Sequence, residues 1–197
     1  MKHPVFGDTR PRSFQPGIES RHCFSSSPEE GDALGPIVGV DEHLVEPGAG
    51  FQWRSEGGVH VAYWVLEGTL RFEAHGPSRF VAPGVLFVVS TGTRLRYRRR
   101  NASAAEPLRF LEIRIAGAAD QGTWTEKVPT TVAGVRVDVG RHFPTFPGLA
   151  LVLRGRYNEE SVERFTPGYF LAWDIDPMMI YEPETEDALV LGLRLPR

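Results

Sequence analysis

The sequence predicts an all-β protein of the sandwich or barrel kind, and three observations lead to that prediction. Short apolar runs are broken by turn residues along most of the chain, and no window of 12 or more residues shows a clear helical period. Glycine and proline are plentiful, with 21 and 16 residues, and they are spread throughout. A second, weaker copy of the same pattern follows the first, which indicates two tandem β-barrels with the second one shortened.

The first copy contains two turns whose residue types are informative. Glu67-Gly68 is predicted to be a tight hairpin turn. In the segment 82–84 (Ala-Pro-Gly), proline fixes φ and glycine supplies a positive φ. Residues before Ile37, with several serines and prolines, are expected to form an extended arm on the first barrel. The predicted strands of this copy are 37–41, 43–46, 59–66, 69–74, 78–82, 86–90, 94–100 and 108–116.

The second copy repeats these turns about 85 to 90 residues later. Arg154-Gly155 matches Glu67-Gly68, and 166–168 (Thr-Pro-Gly) matches 82–84. The polar segment 117–131 has no apolar periodicity, as a connection should have none. We therefore predict domains at residues 1–117 and 118–197. The predicted strands of the second copy are 135–139, 149–154, 168–173, 178–181 and 188–194.

The composition excludes several classes of protein. Hydrophobic residues at 41% and charged residues at 24% are ordinary for a soluble globular protein. A net charge of −3 argues against non-specific binding of nucleic acid. The single Cys23 cannot form an internal disulfide, and the sequence has no secretory or membrane-spanning apolar run. We expect a cytoplasmic protein that has neither a membrane nor a specific nucleic-acid partner.

Two segments resemble the pirin branch of the cupin family. They are 48–68, which contains Val65-Leu66-Glu67-Gly68, and 86–115. In that branch the pattern before the V-L-E-G turn is H-x-H, the pattern after a T-x-G turn is H-x-E, and the four side chains hold iron or another transition metal. The corresponding positions here are Arg54-Ser55-Glu56 and Tyr97-Arg98-Arg99.

Both ends of the chain extend this resemblance. Residues 22–25 (HCFS) are similar to the opening of bacterial pirin-like proteins, and 186–197 (EDALVLGLRLPR) are similar to their closing segment. The resemblance implies a cupin superfamily bicupin, with two barrels side by side and metal only in the first. It also implies iron or another divalent transition metal as the family's cofactor.

The substituted positions change the chemistry that this site can perform. Side chains at i and i+2 of a strand share a face, so Arg54 and Glu56 should point inward together, as should Tyr97 and Arg99. Arginine stays protonated and has no lone pair to donate to a metal. The sequence therefore predicts a first barrel without a metal and a protein without a cofactor.

Three alternatives remain for these four residues. Glu56 could bridge Arg54 and Arg99 in a buried ion-pair network that Tyr97 completes, because buried charges persist when they are paired. Alternatively, two arginines against one carboxylate would leave a positive pocket for a small carboxylate or phosphate. The third alternative is an unusual metal site, to which His60 could add one nitrogen ligand.

The segment 93–101 has arginine at every second position from Arg94 to Arg100. These arginines should face away from Tyr97 and Arg99. Such a row could attract nucleic acid, an acidic protein or a phosphate-rich ligand. It could also be a solvated strand that deters edge pairing, with acidic neighbours such as Glu106 and Glu112.

Two functional hypotheses follow from these residues. The first is a metal-free bicupin that binds a small anion or a regulatory protein partner. Under this favoured hypothesis the protein is not an enzyme. The second is an enzyme, either a quercetin 2,3-dioxygenase-like oxygenase with relocated ligands such as Glu56 and His60 or an acid–base catalyst using Glu56 and Tyr97. The family resemblance implies oxygen-dependent flavonol cleavage and metal-dependent control of partner proteins, and both activities depend on ligands that are replaced here.

Overall fold

The structure, a computed structural model, describes residues 12–25, 36–54, 58–74, 76–91, 96–117, 123–127, 130–142, 148–158, 164–165, 170–173 and 182–194. All regular secondary structure in these residues is β-strand, which confirms the all-β prediction. They contain no helix that is long and apolar enough to cross a membrane. The strands are β1 (Arg12–Gln15), β2 (Ile18–Ser25), β3 (Ile37–Val45), β4 (Gly50–Arg54), β5 (Val59–Glu67), β6 (Leu70–Glu73), β7 (Arg79–Val81), β8 (Leu86–Thr91), β9 (Arg96–Asn101), β10 (Leu108–Ala116), β11 (Thr123–Lys127), β12 (Thr130–Val132), β13 (Val135–Gly140), β14 (Gly148–Arg154), β15 (Tyr157–Asn158), β16 (Arg164–Phe165), β17 (Phe170–Trp173), β18 (Glu182–Pro183) and β19 (Leu189–Arg194).

The chain divides into two compact units. One comprises residues 7–26 and 36–128, and the other comprises 1–6, 27–35 and 129–197. Strand β11 lies beyond residue 117, in the segment expected to be a connection, and it pairs with β8. The first unit therefore includes β11, which lies within the segment expected to be a connection.

The first unit consists of two antiparallel sheets. The larger sheet has the strand order β1-β2-β3-β10-β5-β8-β11, and the smaller sheet has the order β4-β9-β6-β7. Residues 12–25, predicted as an extended arm, instead add β1 and β2 to the larger sheet. An ion pair between Arg21 and Glu42, 3.7 Å apart, and a hydrogen bond of 2.5 Å between His22 Nδ1 and Asp41 Oδ1 link β2 to β3. The arm is therefore part of the sheet.

Both sheets contribute side chains to one apolar interior. The alternation of β5 turns Val61, Tyr63 and Val65 inward, where they meet side chains from seven other strands of this unit. Tyr63 has ring contacts with Phe72 and Phe110 at centroid distances of 6.2 and 5.9 Å, within the usual range for aromatic pairs. The buried members of this cluster are Ile18, Val45, Phe51, Val61, Tyr63, Val65, Leu70, Phe72, Val81, Phe87, Val89, Leu108 and Phe110.

The Glu67-Gly68 turn joins the two sheets and is not a hairpin. Strand β5 pairs with β8 and β10, whereas β6 pairs with β7 and β9, so the chain changes sheets at this turn. Gly68 has a φ of 75°, and a Cβ there would lie 2.5 Å from the carbonyl oxygen of Pro107. The turn needs glycine both for its backbone angle and for the close approach of the segment before β10.

The second unit repeats the first in shortened form. Its main sheet, β12-β13-β19-β14-β17, contains the order β13-β19-β14-β17 that corresponds to β3-β10-β5-β8. Its small sheet, β16-β15-β18, corresponds to β7-β6-β9. Gly155 has a φ of 71° and would place a Cβ 2.6 Å from the Cα of Ala188, just before β19, as Gly68 does before β10. The topology therefore agrees with the predicted tandem barrels and the shorter second copy.

Candidate functional site

Strands β4 and β9 are paired in the smaller sheet and carry three of the four substituted positions, Arg54, Tyr97 and Arg99. Arg99 pairs in register with Phe51, and Tyr97 pairs with Trp53. Phe51 belongs to the interior cluster and Trp53 packs against it, so this register directs Arg99 into the barrel. The side chains of Arg54 and Tyr97, and all of Glu56, lie outside the described part of the structure.

Asn101 fixes the end of β9 two residues beyond Arg99. Its Nδ2 donates to the carbonyl oxygens of Val45, at 3.1 Å, and Glu106, at 2.7 Å. Its Oδ1 accepts a hydrogen bond from the backbone N–H of Ser103 at 2.9 Å. Because Asn101 is buried, these bonds satisfy a polar group that would otherwise be costly to desolvate. They also anchor β9 to the larger sheet.

Arg99 forms a buried ion pair with Glu112. Its NH1 donates to Glu112 Oε2 and lies 3.4 Å from the Tyr63 hydroxyl. The Arg99 side chain is 0% exposed and that of Glu112 is 2% exposed. Glu112 lies on β10 of the larger sheet, so this pair crosses the interior of the barrel. It neutralises the one arginine of the predicted site whose side chain the structure describes.

Among the described residues, four aromatic rings surround the Arg99 guanidinium. Its central carbon lies 4.0 Å from the ring centroid of Phe51 and 5.1 Å from that of Trp53. The rings of Tyr63 and Phe110 follow at 5.3 and 5.8 Å. A desolvated cation over aromatic faces gains about 2 kcal/mol in favourable cases. The rings therefore offset part of the cost of removing the guanidinium from water.

His43 extends the ion pair into a longer buried polar chain. Its Nδ1 lies 2.8 Å from the Ser20 hydroxyl, and its Nε2 lies 3.7 Å from Glu112 Oε2. Its ring packs on Phe110 at a centroid distance of 4.9 Å. Burial, followed by the positive charge of Arg99, lowers the pKa of His43 to about 3. His43 is therefore neutral at physiological pH and leaves Arg99 as the cation beside Glu112.

The sequence alone indicated Arg99 as an interior side chain but none of its partners. Glu112 was expected beside the outward arginines, whereas this carboxylate lies inside the barrel. His43 and Ser20 had no predicted role. A signal for Glu112 was present, because Leu108, Phe110 and Glu112 alternate along one face of β10, and a carboxylate on that apolar face requires a buried partner.

His60 lies apart from this polar chain. It is buried on β5, in register with Ser90 and Ile115. Since successive residues of a strand face opposite sides, His60 is on the other face from Val61 and Tyr63. His60 is therefore out of phase with the interior positions of β5.

The described residues do not fit a divalent transition metal. Among them there is no group of three or more His, Cys, Asp or Glu side chains that could hold an ion. The buried carboxylate of Glu112 already accepts from Arg99, the carboxylate of Asp41 accepts from Arg114, and Nδ1 of His43 is engaged by Ser20. A guanidinium offers no lone pair.

The fold is shared with solved structures of cupin proteins. A bacterial pirin from Escherichia coli, YhhW, solved in complex with nickel(II), superposes with a TM-score of 0.74 at 19% identity, covering 96% of each chain. A quercetin 2,3-dioxygenase from Acinetobacter baumannii gives a TM-score of 0.74 at 10% identity, covering 97% of this chain and 85% of that one. The chain has the pirin-like bicupin fold.

Sequence comparison links this chain to curated proteins over part of its length. Proteins of Mycobacterium bovis and Mycobacterium tuberculosis named "Putative quercetin 2,3-dioxygenase" are 31% identical to it over 105 residues. That match covers 49% of this chain and 41% of each relative, so the chain spans less than half the length of those relatives. No family model matches the chain.

Proposed function

We propose that this chain is a metal-free pirin-like bicupin that acts as a binding or regulatory module. The observation that carries the proposal is the Arg99–Glu112 ion pair, which crosses the interior of the first barrel and is surrounded by aromatic rings. By the resemblance described above, Arg99 stands where the family has its glutamate ligand. At this position a permanent cation therefore replaces a metal-binding anion.

Electrostatics supports the absence of a metal at this position. A guanidinium about 4 Å from a divalent ion would oppose it by roughly 8 kcal/mol at an effective dielectric constant near 20, which is twice the unit-charge value. Separating Glu112 from Arg99 to ligate the ion would also leave the arginine buried without its counter-charge. The proposal thus includes no cofactor and no oxygen chemistry.

The geometry supports regulation through protein contacts better than capture of a small anion inside the barrel. Glu112 already supplies Arg99 with the carboxylate that a small carboxylate or phosphate ligand would otherwise supply. An anion could bind there only by displacing Glu112. The proposed location remains the cytoplasm.

The second candidate is a metal-dependent oxygenase related to quercetin 2,3-dioxygenase, with Glu56 and His60 as relocated ligands. The 31% identity to the mycobacterial proteins favours it. The strand phase of β5 counts against it, because His60 does not share the interior face of Tyr63.

Metal analysis separates the two candidates. The purified protein and E. coli YhhW, as a metal-binding control, would be analysed for metal content and titrated with iron, nickel, manganese and zinc during thermal unfolding. Because a ligand that binds only the folded state raises its stability, we expect a shift for YhhW and none for this chain.

A stoichiometric metal that is lost in Glu56→Ala, but not in Glu106→Ala, would replace the first candidate with the second. A thermal shift with acetate or inorganic phosphate that disappears in Arg99→Ala would instead support the small-anion form of the first candidate. Absence of both shifts is the result expected for the regulatory form.

A further inference from the structure

The outer face of the smaller sheet carries a cluster of cations. Arg98 and Arg100 are exposed on β9, on the opposite side from the buried Arg99. The register places Arg71 beside Arg100, and Phe80 beside Arg71. We call Arg71, Arg98, Arg100 and Phe80 the arginine face.

The arginine face is positive on a chain whose net charge is negative. Its three guanidiniums are accompanied by Glu73, which lies opposite Arg98 and forms a 2.8 Å ion pair with Arg71. Three positive charges and one negative charge leave +2 among these described residues, against −3 for the whole chain. Such a local excess attracts negatively charged groups at short range.

The face also has an exposed aromatic side chain. Phe80 is 59% exposed, the larger value of the two exposed large hydrophobic residues among those that the structure describes. The Arg71 guanidinium lies 5.8 Å from the centroid of the Phe80 ring. Aromatic residues and arginine are both enriched in protein–protein interfaces.

Neighbouring residues hold these arginines in place. With its amide oxygen turned toward Arg98, Gln52 accepts from Nε at 3.1 Å and from NH2 at 2.9 Å. Arg71 NH2 donates to Ser78 Oγ at 3.3 Å. The stem of Arg100 lies across Gly50, where a Cβ would be 2.5 Å from Arg100 Cγ. Side chains that are already ordered lose less entropy when they bind a partner.

We propose that the arginine face docks an extended, acidic segment of a partner protein. Arg98 and Arg100 are separated by about 7 Å along the strand, the same repeat as alternate side chains of an extended peptide. Carboxylates at positions i and i+2 of the segment therefore meet these two guanidiniums, and a neighbouring apolar side chain packs on Phe80. This inference rests on the proposed function, since it names the kind of partner that a regulatory module would bind.

A nucleic acid fits the same face less well. Three cations on a negatively charged protein would release few counterions from a phosphate backbone, and binding would be weak at physiological salt. A single exposed aromatic residue supplies stacking for one base, whereas proteins that bind single strands use several.

A fluorescein-labelled peptide of alternating glutamate and leucine tests the proposal by fluorescence anisotropy with the purified protein. We expect saturable binding that falls at least tenfold in Arg98→Gln/Arg100→Gln. The matched control is Arg141→Gln/Arg156→Gln, which removes the same charge from exposed positions of the second unit and should leave binding within twofold. Phe80→Ser should weaken binding several-fold, and the peptide with glutamine in place of glutamate should not bind.

Three outcomes would overturn the proposal: no peptide binding, equal losses in the two double variants, or tighter binding of an oligothymidine of equal length. Metal content is measured on the same preparations. A metal-bearing protein that binds the peptide through Arg98 and Arg100 would overturn the proposed function and leave the docking face standing. A metal-free protein that fails to bind would overturn the docking face alone.

Discussion

At the scale of single residues, the environment of Arg99 decides the chemistry of the first barrel. A buried guanidinium is tolerated only when its charge is compensated and its donors are engaged. Glu112 supplies the opposite charge, and Phe51 and Trp53 supply aromatic faces. Because Arg99 and Glu112 are buried together, removal of either side chain leaves the charge of the other uncompensated in a dry interior.

We predict that Arg99→Ala destabilises the protein by about 3 to 5 kcal/mol, the usual cost of removing one partner of a buried ion pair. Arg98→Ala, which removes an exposed arginine from the adjacent position, should change stability by less than about 0.5 kcal/mol. Urea denaturation of the two variants measures the difference. Equal effects would show that Arg99 contributes no more than a surface arginine.

Chemical rescue provides a second test of the same site. Arg99→Ala leaves a space lined by aromatic rings and Glu112, which is the environment that the native guanidinium occupies. We predict that millimolar guanidinium, below denaturing concentrations, raises the melting temperature of Arg99→Ala and lowers or leaves unchanged that of wild type and of Arg98→Ala. The same response in all three proteins would contradict this account of the cavity.

At the scale of elements, one strand can serve two purposes because its side chains alternate. Strand β9 directs Arg99 into the barrel and exposes Arg98 and Arg100 on the outer face. The prediction that Arg98 and Arg100 face away from Arg99 is confirmed, since Arg99 is buried and the other two are exposed. The interior ion pair and the proposed docking face therefore share a backbone segment.

The corner between β5 and β6 makes a separate prediction. Gly68→Ala introduces a strained positive φ and also a Cβ 2.5 Å from the Pro107 carbonyl oxygen. Gly48→Ala has the same kind of strain, with a φ of 72°, but nothing within 4 Å of its Cβ. We expect Gly48→Ala to cost about 1 to 2 kcal/mol and Gly68→Ala clearly more. Equilibrium denaturation of both variants compares them, and similar losses would mean that the close approach can relax.

At the scale of the whole molecule, the buried polar chain should affect the pH dependence of folding. The His43 pKa is lowered to about 3 in the folded protein, by burial first and then by Arg99 and Arg114, against opposing contributions from Asp41 and Glu42. The unfolded chain, with the ordinary histidine pKa of 6.5, binds a proton that the folded protein excludes. The stability contributed by neutral His43 is therefore complete above about pH 6.5 and is lost as the pH falls toward 3.

Uptake of one proton on unfolding contributes about 1.4 kcal/mol per pH unit to the slope of the unfolding free energy against pH. We predict that this contribution is absent in His43→Gln between pH 6 and 4.5. The control is His142→Gln, at an exposed position of the second unit. Urea denaturation at several pH values gives the slopes for wild type and both variants. An unchanged slope in His43→Gln would mean that His43 gains a proton without unfolding the barrel.

The fold could be predicted from local signals to a large extent. Alternating apolar residues and turn chemistry indicated the strands, and the recurrence of Gly68 as Gly155 indicated the second copy, which the topology matches. The prediction of a hairpin at Glu67-Gly68 was wrong, because a positive φ is compatible both with a hairpin and with a corner between two sheets. Only the pairing of β6 with β9 distinguishes them.

The sequence by itself determined that the interior of the first barrel has a cation where the pirin branch has a carboxylate, because residue identity and strand alternation are local properties. Only the tertiary structure decided which group neutralises that cation. Strands β9 and β10 belong to different sheets and share no backbone hydrogen bonds, so the contact between Arg99 and Glu112 depends on how the sheets close around the interior. Spacing along either strand does not specify such a contact, because the partner comes from across the core.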